Sequence, residues 1–236
     1  MKRYEWLLFD VDHTILDYTA DERAALKELF AEFGVSVDET ALTRCQHLSE
    51  KAWTDAGLYD VQNPEIQRVW HKLYRSHVPN IFRLFFDEIG VTGKDLTAIA
   101  TRFLTLLERS GLEMPHAKQT LAELKAKGYK IALATNGVSS IQRARLESLS
   151  GRYEKAFISE EVGAIKPQKE FFEHVLLETG AKKENCLMIG DSLSSDMAGA
   201  KNAGIDACFY NRKNAENLPN FLALTVVDLR QLTTIL

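Results

Sequence analysis

The sequence predicts an α/β protein: a doubly wound, mostly parallel sheet core with an α-helical domain inserted after its first strand. Three observations predict it. Short, wholly apolar runs of strand length recur along the chain, glycine-stopped helical segments separate the later ones, and one long stretch carries helical periodicity alone.

Trp6 to Phe9 is the first apolar run, without the polar alternation of a half-exposed strand, as a strand buried on both faces requires. Between Thr14 and about Gly111 such runs disappear. Leu26, Leu29, Phe30 and Phe33 form one helical stripe that Gly34 ends. Further helices are expected near Glu39 to Ala56, Glu65 to Ser76, Pro79 to Ile89 and Lys94 to Ser110, with Gly57, Asn63-Pro64 and Gly90 as breaks. Apolar runs return at Ile131 to Ala134, Ala156 to Ile158, Leu187 to Ile189 and Ala207 to Tyr210. Between them, Pro115 to Lys127 carries Leu121 and Leu124 on one face and stops at Gly128, while Gln168 to Thr179 carries Phe171, Phe172, Val175 and Leu176 and stops at Gly180. The expected domains are 1–14 with 112–236 for the core and 15–111 for the helical insertion. An insertion at that point sits beside the carboxyl ends of the strands, where open α/β sheets bind ligands, and can act as a lid.

Composition sets the class. The 236 residues are 45% hydrophobic and 26% charged, which describes a soluble globular chain and excludes a disordered or fibrous one. Lys and Arg number 29 against 33 Asp and Glu, for a net charge of -4, too balanced for a protein that binds by neutralising nucleic-acid phosphates. A small substrate fits better. The opening segment, with Lys2 and Arg3, has an apolar stretch that stops at Asp10, short of a signal peptide, and no window approaches the roughly 20 apolar residues that span a bilayer. Cys45, Cys186 and Cys208 lack Cys-x-x-Cys spacing and read as reduced core thiols, so a cytoplasmic protein with no membrane partner is expected.

The chemistry gathers at strand ends. Asp10 and Asp12 directly follow the first buried strand, and side chains two apart on an extended backbone point the same way. Two converging carboxylates need a cation or a shared proton, and the resulting split in proton affinity suits a nucleophile paired with a general acid; a solvated turn is the competing reading. A second strand runs into Thr135-Asn136-Gly137 before a helix start near Ser139, where a hydroxyl, an amide and exposed N–H groups would attract an anion or simply cap the helix. A third ends in Gly190-Asp191, with Asp196 beyond it as a supporting carboxylate or a first-turn helix residue; such hard oxygen donors favour Mg2+. Lys166-Pro167 lies in a polar loop and offers a positive charge. His13 is expected to face away from the two aspartates, toward solvent or the insertion. Trp53, Trp70, His71, Tyr74 and Arg75 could stack a base, but aromatics at helical spacing read first as core.

Taken in order, Asp10-x-Asp12-x-Thr14, Thr135-Asn136-Gly137, Lys166-Pro167 and Gly190-Asp191-x-x-x-x-Asp196 resemble the four motifs of the haloacid dehalogenase (HAD) superfamily. The resemblance implies a Rossmann-like core and a type C1 helical cap. It also implies Asp10 as the nucleophile that forms an aspartyl-phosphate, and Asp12 as the acid and later the base. Thr135 and the Asn136 amide would bind the phosphoryl oxygens, and Lys166 would balance charge. Mg2+ would be held by Asp10, the Asp12 carbonyl and Asp191, with Asp196 supporting. True dehalogenases and phosphonatases of the superfamily lack the second carboxylate, so Asp12 favours phosphate-ester hydrolysis; a phosphonatase would also need a lysine such as Lys51 or Lys72, which read as decorating helix faces. The strings Asp10 to Asp17, Ile158 to Pro167 and Gly190 to Asp196 further resemble the YjjG/YfnB-type bacterial pyrimidine 5'-nucleotidases, which implies a nucleoside 5'-monophosphate as the small phosphorylated metabolite. A 2-haloacid dehalogenase, a sugar phosphate phosphatase and an inactive binding protein on the same fold remain the alternatives.

Overall fold

The computed structural model describes residues 4–236; Lys2 and Arg3 lie outside the described residues. The first apolar run forms β1 (Trp6–Phe9), all four residues buried. Four helices follow, α1 (Tyr18–Glu32), α2 (Glu39–Asp55), α3 (Pro64–Ile89) and α4 (Leu96–Glu108). Strands and helices then alternate through α5 (Ala117–Ala126), β2 (Lys130–Thr135), α6 (Ser139–Leu146), β3 (Lys155–Ile158), α7 (Ser159–Val162), α8 (Lys169–Thr179), β4 (Cys186–Gly190), α9 (Ala198–Ala203), β5 (Asp206–Tyr210), β6 (Leu224–Val226) and α10 (Arg230–Ile235). All six strands form one sheet in the order β3-β2-β1-β4-β5-β6, every pairing parallel. This is the doubly wound α/β class that the sequence predicts.

The two faces of β1 explain its uninterrupted apolar sequence. Leu7 and Phe9 pack with Leu121 and Leu124 of α5 and Leu232 of α10, whereas Trp6 and Leu8 pack with Phe171, Phe172 and Val175 of α8 and Ala200 of α9. Helices cover both faces, so successive side chains of the strand must all be apolar. The chain lays β2 and β3 to one side of β1 and then returns to lay β4, β5 and β6 on the other. That reversal at β1 and β4 is where strand ends of such sheets diverge and ligands bind.

By packing, the chain divides into two units. One comprises the residues up to Asp17, Glu113–Ser139 and Leu146–Leu236; the other comprises Tyr18–Leu112 together with Ser140–Arg145. In the helical unit, Phe30 of α1 packs against Phe85 of α3 with ring centroids 5.1 Å apart, and Phe82 of α3 meets Phe103 of α4 at 5.5 Å. Trp70 and Tyr74 are buried in the same unit, as core aromatics. The sequence reading breaks α3 before Pro79; the structure carries one helix of 26 residues through it. A proline inside a helix removes one backbone hydrogen bond, but Val78 before it and the buried stripe Ile81, Phe82, Phe85 and Phe86 after it give packing that outweighs the loss. β6 escapes the sequence reading because it is three residues long and only Val226 in it is fully buried. Among the described residues no helix is long and apolar enough to cross a membrane.

One polar group in the helical unit is completely enclosed. Asp21 of α1 accepts from Arg145 Nη2 at 2.8 Å and from the Gly111 and Leu112 N–H groups at 3.1 and 2.8 Å, while Arg145 Nη1 donates to Gln142 at 2.9 Å. Both charged side chains are at most 1% exposed. Removing one partner of such a pair leaves a buried charge without compensation, which costs about 3–5 kcal/mol. Arg145→Met is therefore expected to lower the unfolding free energy by about that amount, read as a shift in the guanidinium midpoint; a loss below about 1 kcal/mol would contradict the assignment.

Candidate active site

β1 brings Asp10 to its carboxyl end, where the Asp10 N–H still donates to Ile189 O of β4 at 2.8 Å and so remains fixed by the sheet. The chain then turns sharply. Val11 O accepts from the N–H groups of Thr14, Ile15 and Leu16 at 3.2, 2.9 and 2.9 Å, and His13 adopts the left-handed region with φ 64°. The Thr14 hydroxyl reaches back to Asp10 Oδ2 at 3.1 Å. Asp12 is half-buried, and its charge raises the proton affinity of Asp10. His13 does not face open solvent: it is half-buried, and burial, partly opposed by Asp12 and Asp191, makes its ring harder to protonate. The left-handed turn is what breaks the period-two alternation on which the sequence reading relied.

Lys166 is the best-anchored side chain of the site. It is fully buried, and its ammonium donates to Asp10 Oδ1 at 2.6 Å, Asp196 Oδ1 at 2.6 Å and Ala134 O at 2.7 Å, one acceptor for each of its donors. Burial acts to discharge it, but Asp10 and Asp196 outweigh burial and hold the ammonium above the usual lysine range. Its backbone is gripped as well, for Asn136 Oδ1 accepts from Lys166 N at 2.7 Å and Asn136 Nδ2 donates to Lys166 O at 2.8 Å. The Asn136 carboxamide is thus occupied by a peptide group, and only its backbone N–H is left for an anion. Asp196 lies in a π-type turn, Leu193–Met197, and its Oδ2 accepts from Ser192 N at 3.1 Å. Gly190 makes room for it: a Cβ there would stand 2.2 Å from Asp196 Oδ2.

Thr135 ends β2, buried beside this cluster. The helix start after it is already served by the chain's own acids: Glu160 accepts from Ser139 N at 2.8 Å, and Glu161 accepts from the Ser139 hydroxyl. Ser159 accepts from Gly137 N at 3.0 Å. Of the two readings of this helix start, the Ser139 N–H and hydroxyl are met by an internal cap, since α7 carries two adjacent glutamates to that point.

Asp10, Asp191 and Asp196 each place a carboxylate oxygen within 4.8 Å of the others. Asp191 also accepts from Arg212 Nε at 2.9 Å. Arg212 is missed by the sequence reading, although the strand-end argument extends to it, since it lies two residues beyond the end of β5. With Asp12 counted, four carboxylates stand against the Lys166 and Arg212 cations, an excess of negative charge in largely buried surroundings that a divalent cation would neutralise. A set of hard carboxylate oxygens at this spacing fits Mg2+.

The chain as a whole is similar to known proteins. The family model described as haloacid dehalogenase-like hydrolase covers residues 4–204. The chain is 34% identical over 217 residues to pyrimidine 5'-nucleotidase PynA of Streptococcus pneumoniae, spanning 91% of this chain and 86% of that protein. It is 28% identical to pyrimidine 5'-nucleotidase YjjG of Escherichia coli, with 98% of each chain covered. The magnesium-bound crystal structure of the HAD-hydrolase YfnB from Bacillus subtilis superposes with a TM-score of 0.83 over 99% of both chains at 28% identity. Other relatives carry the names phosphoserine phosphatase and glyceraldehyde 3-phosphate phosphatase.

Crowding of like charges gives the site a pH signature. Burial, with Asp196 beside it, pushes the Asp10 carboxyl up to about 7, against the pull of Lys166. Burial raises Asp191 and Asp196 as well. A carboxylate raised in the folded state keeps its proton where the unfolded chain has lost it, so its contribution to stability is lost as pH rises from about 4 through about 7. In chelator, the wild-type protein is expected to lose thermal stability relative to Asp10→Asn across that window. A stability difference between the two that does not change with pH would contradict this.

Proposed function

The chain belongs to the haloacid dehalogenase-like hydrolases, and from that membership we propose that it is a Mg2+-dependent phosphomonoester hydrolase working through an aspartyl-phosphate on Asp10. The observation that carries the reading is the meeting of the Lys166 ammonium with Asp10 and Asp196 beside Asp191, at the sheet's topological switch point.

Asp10 attacks phosphorus, forming its own O–P bond as the bond to the leaving alkoxide breaks, and Asp12 gives that alkoxide its proton. A water molecule then attacks the phosphorus of the aspartyl-phosphate, Asp12 takes its proton, and the Asp10 carboxylate and inorganic phosphate are released. The Thr135 hydroxyl and the Asn136 backbone N–H hold the phosphoryl oxygens, and Lys166 offsets their charge. Mg2+ would be held by Asp10, the Asp12 carbonyl and Asp191, with Asp196 supporting, and when bound it supplies charge neutralisation to the transferring group. The helical residues 15–111 serve as the cap whose side chains choose the leaving group.

The presence of Asp12 favours an ester leaving group over a halide. The substrate class rests on the names of the relatives PynA and YjjG, and is a nucleoside 5'-monophosphate of pyrimidine type. The three buried free cysteines suit a reducing compartment, so the protein acts on a small metabolite in the cytoplasm.

Asp10→Asn is expected to abolish turnover of an aryl phosphate, and Asp12→Asn to reduce it on the order of 10²- to 10⁴-fold; wild-type rates in Asp10→Asn would overturn the nucleophile. A panel of nucleotides, sugar phosphates and phosphoserine, read by phosphate release with Mg2+ and again with chelator, tests the rest. Pyrimidine nucleotides should lead, and chelator should silence every substrate. Equal rates across the panel would defeat the nucleotidase reading, full activity in chelator would defeat the metal, and chloride release from 2-chloropropionate would support a dehalogenase instead.

A further inference from the structure

Lys166 is held at both ends, by Ala134 of β2 and by Asn136 just beyond the strand's end. Its ammonium donates to Ala134 O at 2.7 Å, and its backbone N–H and C=O both pair with the Asn136 carboxamide, at 2.7 and 2.8 Å. A carboxamide presents a donor and an acceptor side by side, so Asn136 satisfies both backbone groups of a single residue, as a neighbouring strand would, at a point where the chain has no strand. A lysine otherwise carries its charge on a flexible stem with many rotamers. Here the stem starts from a fixed peptide and ends on three fixed oxygens. The adjacent Gly137 is fixed too, its N–H donating to Ser159 Oγ at 3.0 Å.

We propose that Asn136 is a positioning residue: its carboxamide sets where the Lys166 ammonium stands, and so joins the phosphate-holding end of β2 and the lysine into one rigid piece. This rests on the phosphatase reading above and deepens it, because the Asn136 side chain then acts on the reaction only through Lys166. No other side chain of similar size does the same. Aspartate would keep the acceptor for Lys166 N but would set a carboxylate oxygen against Lys166 O, and serine or alanine would leave at least one of the two peptide groups without this partner.

A double-mutant cycle tests it, read as single-turnover phosphate release from an aryl phosphate with enzyme in excess and Mg2+ present, so that slow variants still give a signal. Asn136→Ala is expected to slow the single-turnover rate at saturating enzyme on the order of 10- to 100-fold, as misplacement of a catalytic group does, with the enzyme concentration that gives half the maximal rate changed far less. In a Lys166→Met background the same substitution is expected to change the rate by less than about threefold, because the group it positions is gone. Asn136→Ser runs beside it as the milder variant, and thermal unfolding of each protein reports whether it is folded at the assay temperature. An equal loss from Asn136→Ala in both backgrounds would overturn the proposal, since Asn136 would then act independently of the lysine, while the phosphatase reading would stand. Undiminished activity in Lys166→Met would remove the catalytic role of Lys166 and the proposal with it. Absence of phosphate release from the wild-type protein would overturn the phosphatase reading itself.

Discussion

A buried ammonium among carboxylates is the constraint on which the rest of the site depends. Lys166 has lost its water, and a charge in that position is tolerated only if every donor finds a well-placed acceptor. Asp10, Asp196 and Ala134 O supply those acceptors, and each is itself held: Asp10 by the sheet and Thr14, Asp196 by Ser192 and the space left by Gly190, Ala134 by its place in β2. The same arrangement lifts the proton affinity of Asp10 above that of a free carboxyl, burial and Asp196 raising it against the pull of Lys166.

The fold produces this meeting by the order of its strands. Asp10 follows β1, Thr135 ends β2, and Asp191 follows β4, and β2 and β4 are the two neighbours of β1. Groups separated by more than a hundred residues of sequence therefore share one sheet edge without any long loop. The sheet is covered on both faces, so its strand ends are rigid supports, and side chains on rigid elements hold their geometry better than those on loops. Lys166 is the exception, coming from the segment between α7 and α8, and it is this group that needs a separate anchor in Asn136.

Much of the architecture was legible in the sequence because burial on two faces writes itself as an apolar run; β1 to β5 lie within a residue or so of the runs that announce them. β6 was not legible, being too short and too exposed for any run to mark it. Pro79 misled in the other direction, since a local rule about proline yielded to the aromatic packing that follows it. In the site, Asp10 and Asp191 were legible because each directly follows a strand, and Asp196 only as a supporting carboxylate beyond the second; the structure brings the three together. What the sequence could not convey was pairing. That Asn136 turns its carboxamide to Lys166, that Arg212 meets Asp191, and that Glu160 and Glu161 serve the start of α6 are facts about residues apart in sequence, and no spacing rule encodes them.

In the proposed reaction an oxygen of Asp10 carries the phosphoryl group between substrate and water. Acid quenching of the enzyme during turnover, followed by peptide mapping in a mass spectrometer, measures that directly. A phosphoryl adduct is expected on the peptide that contains Asp10, formed in the wild-type protein, accumulating in Asp12→Asn and absent from Asp10→Asn. A phosphoryl group on another residue, or none on any residue while phosphate is released, would contradict it.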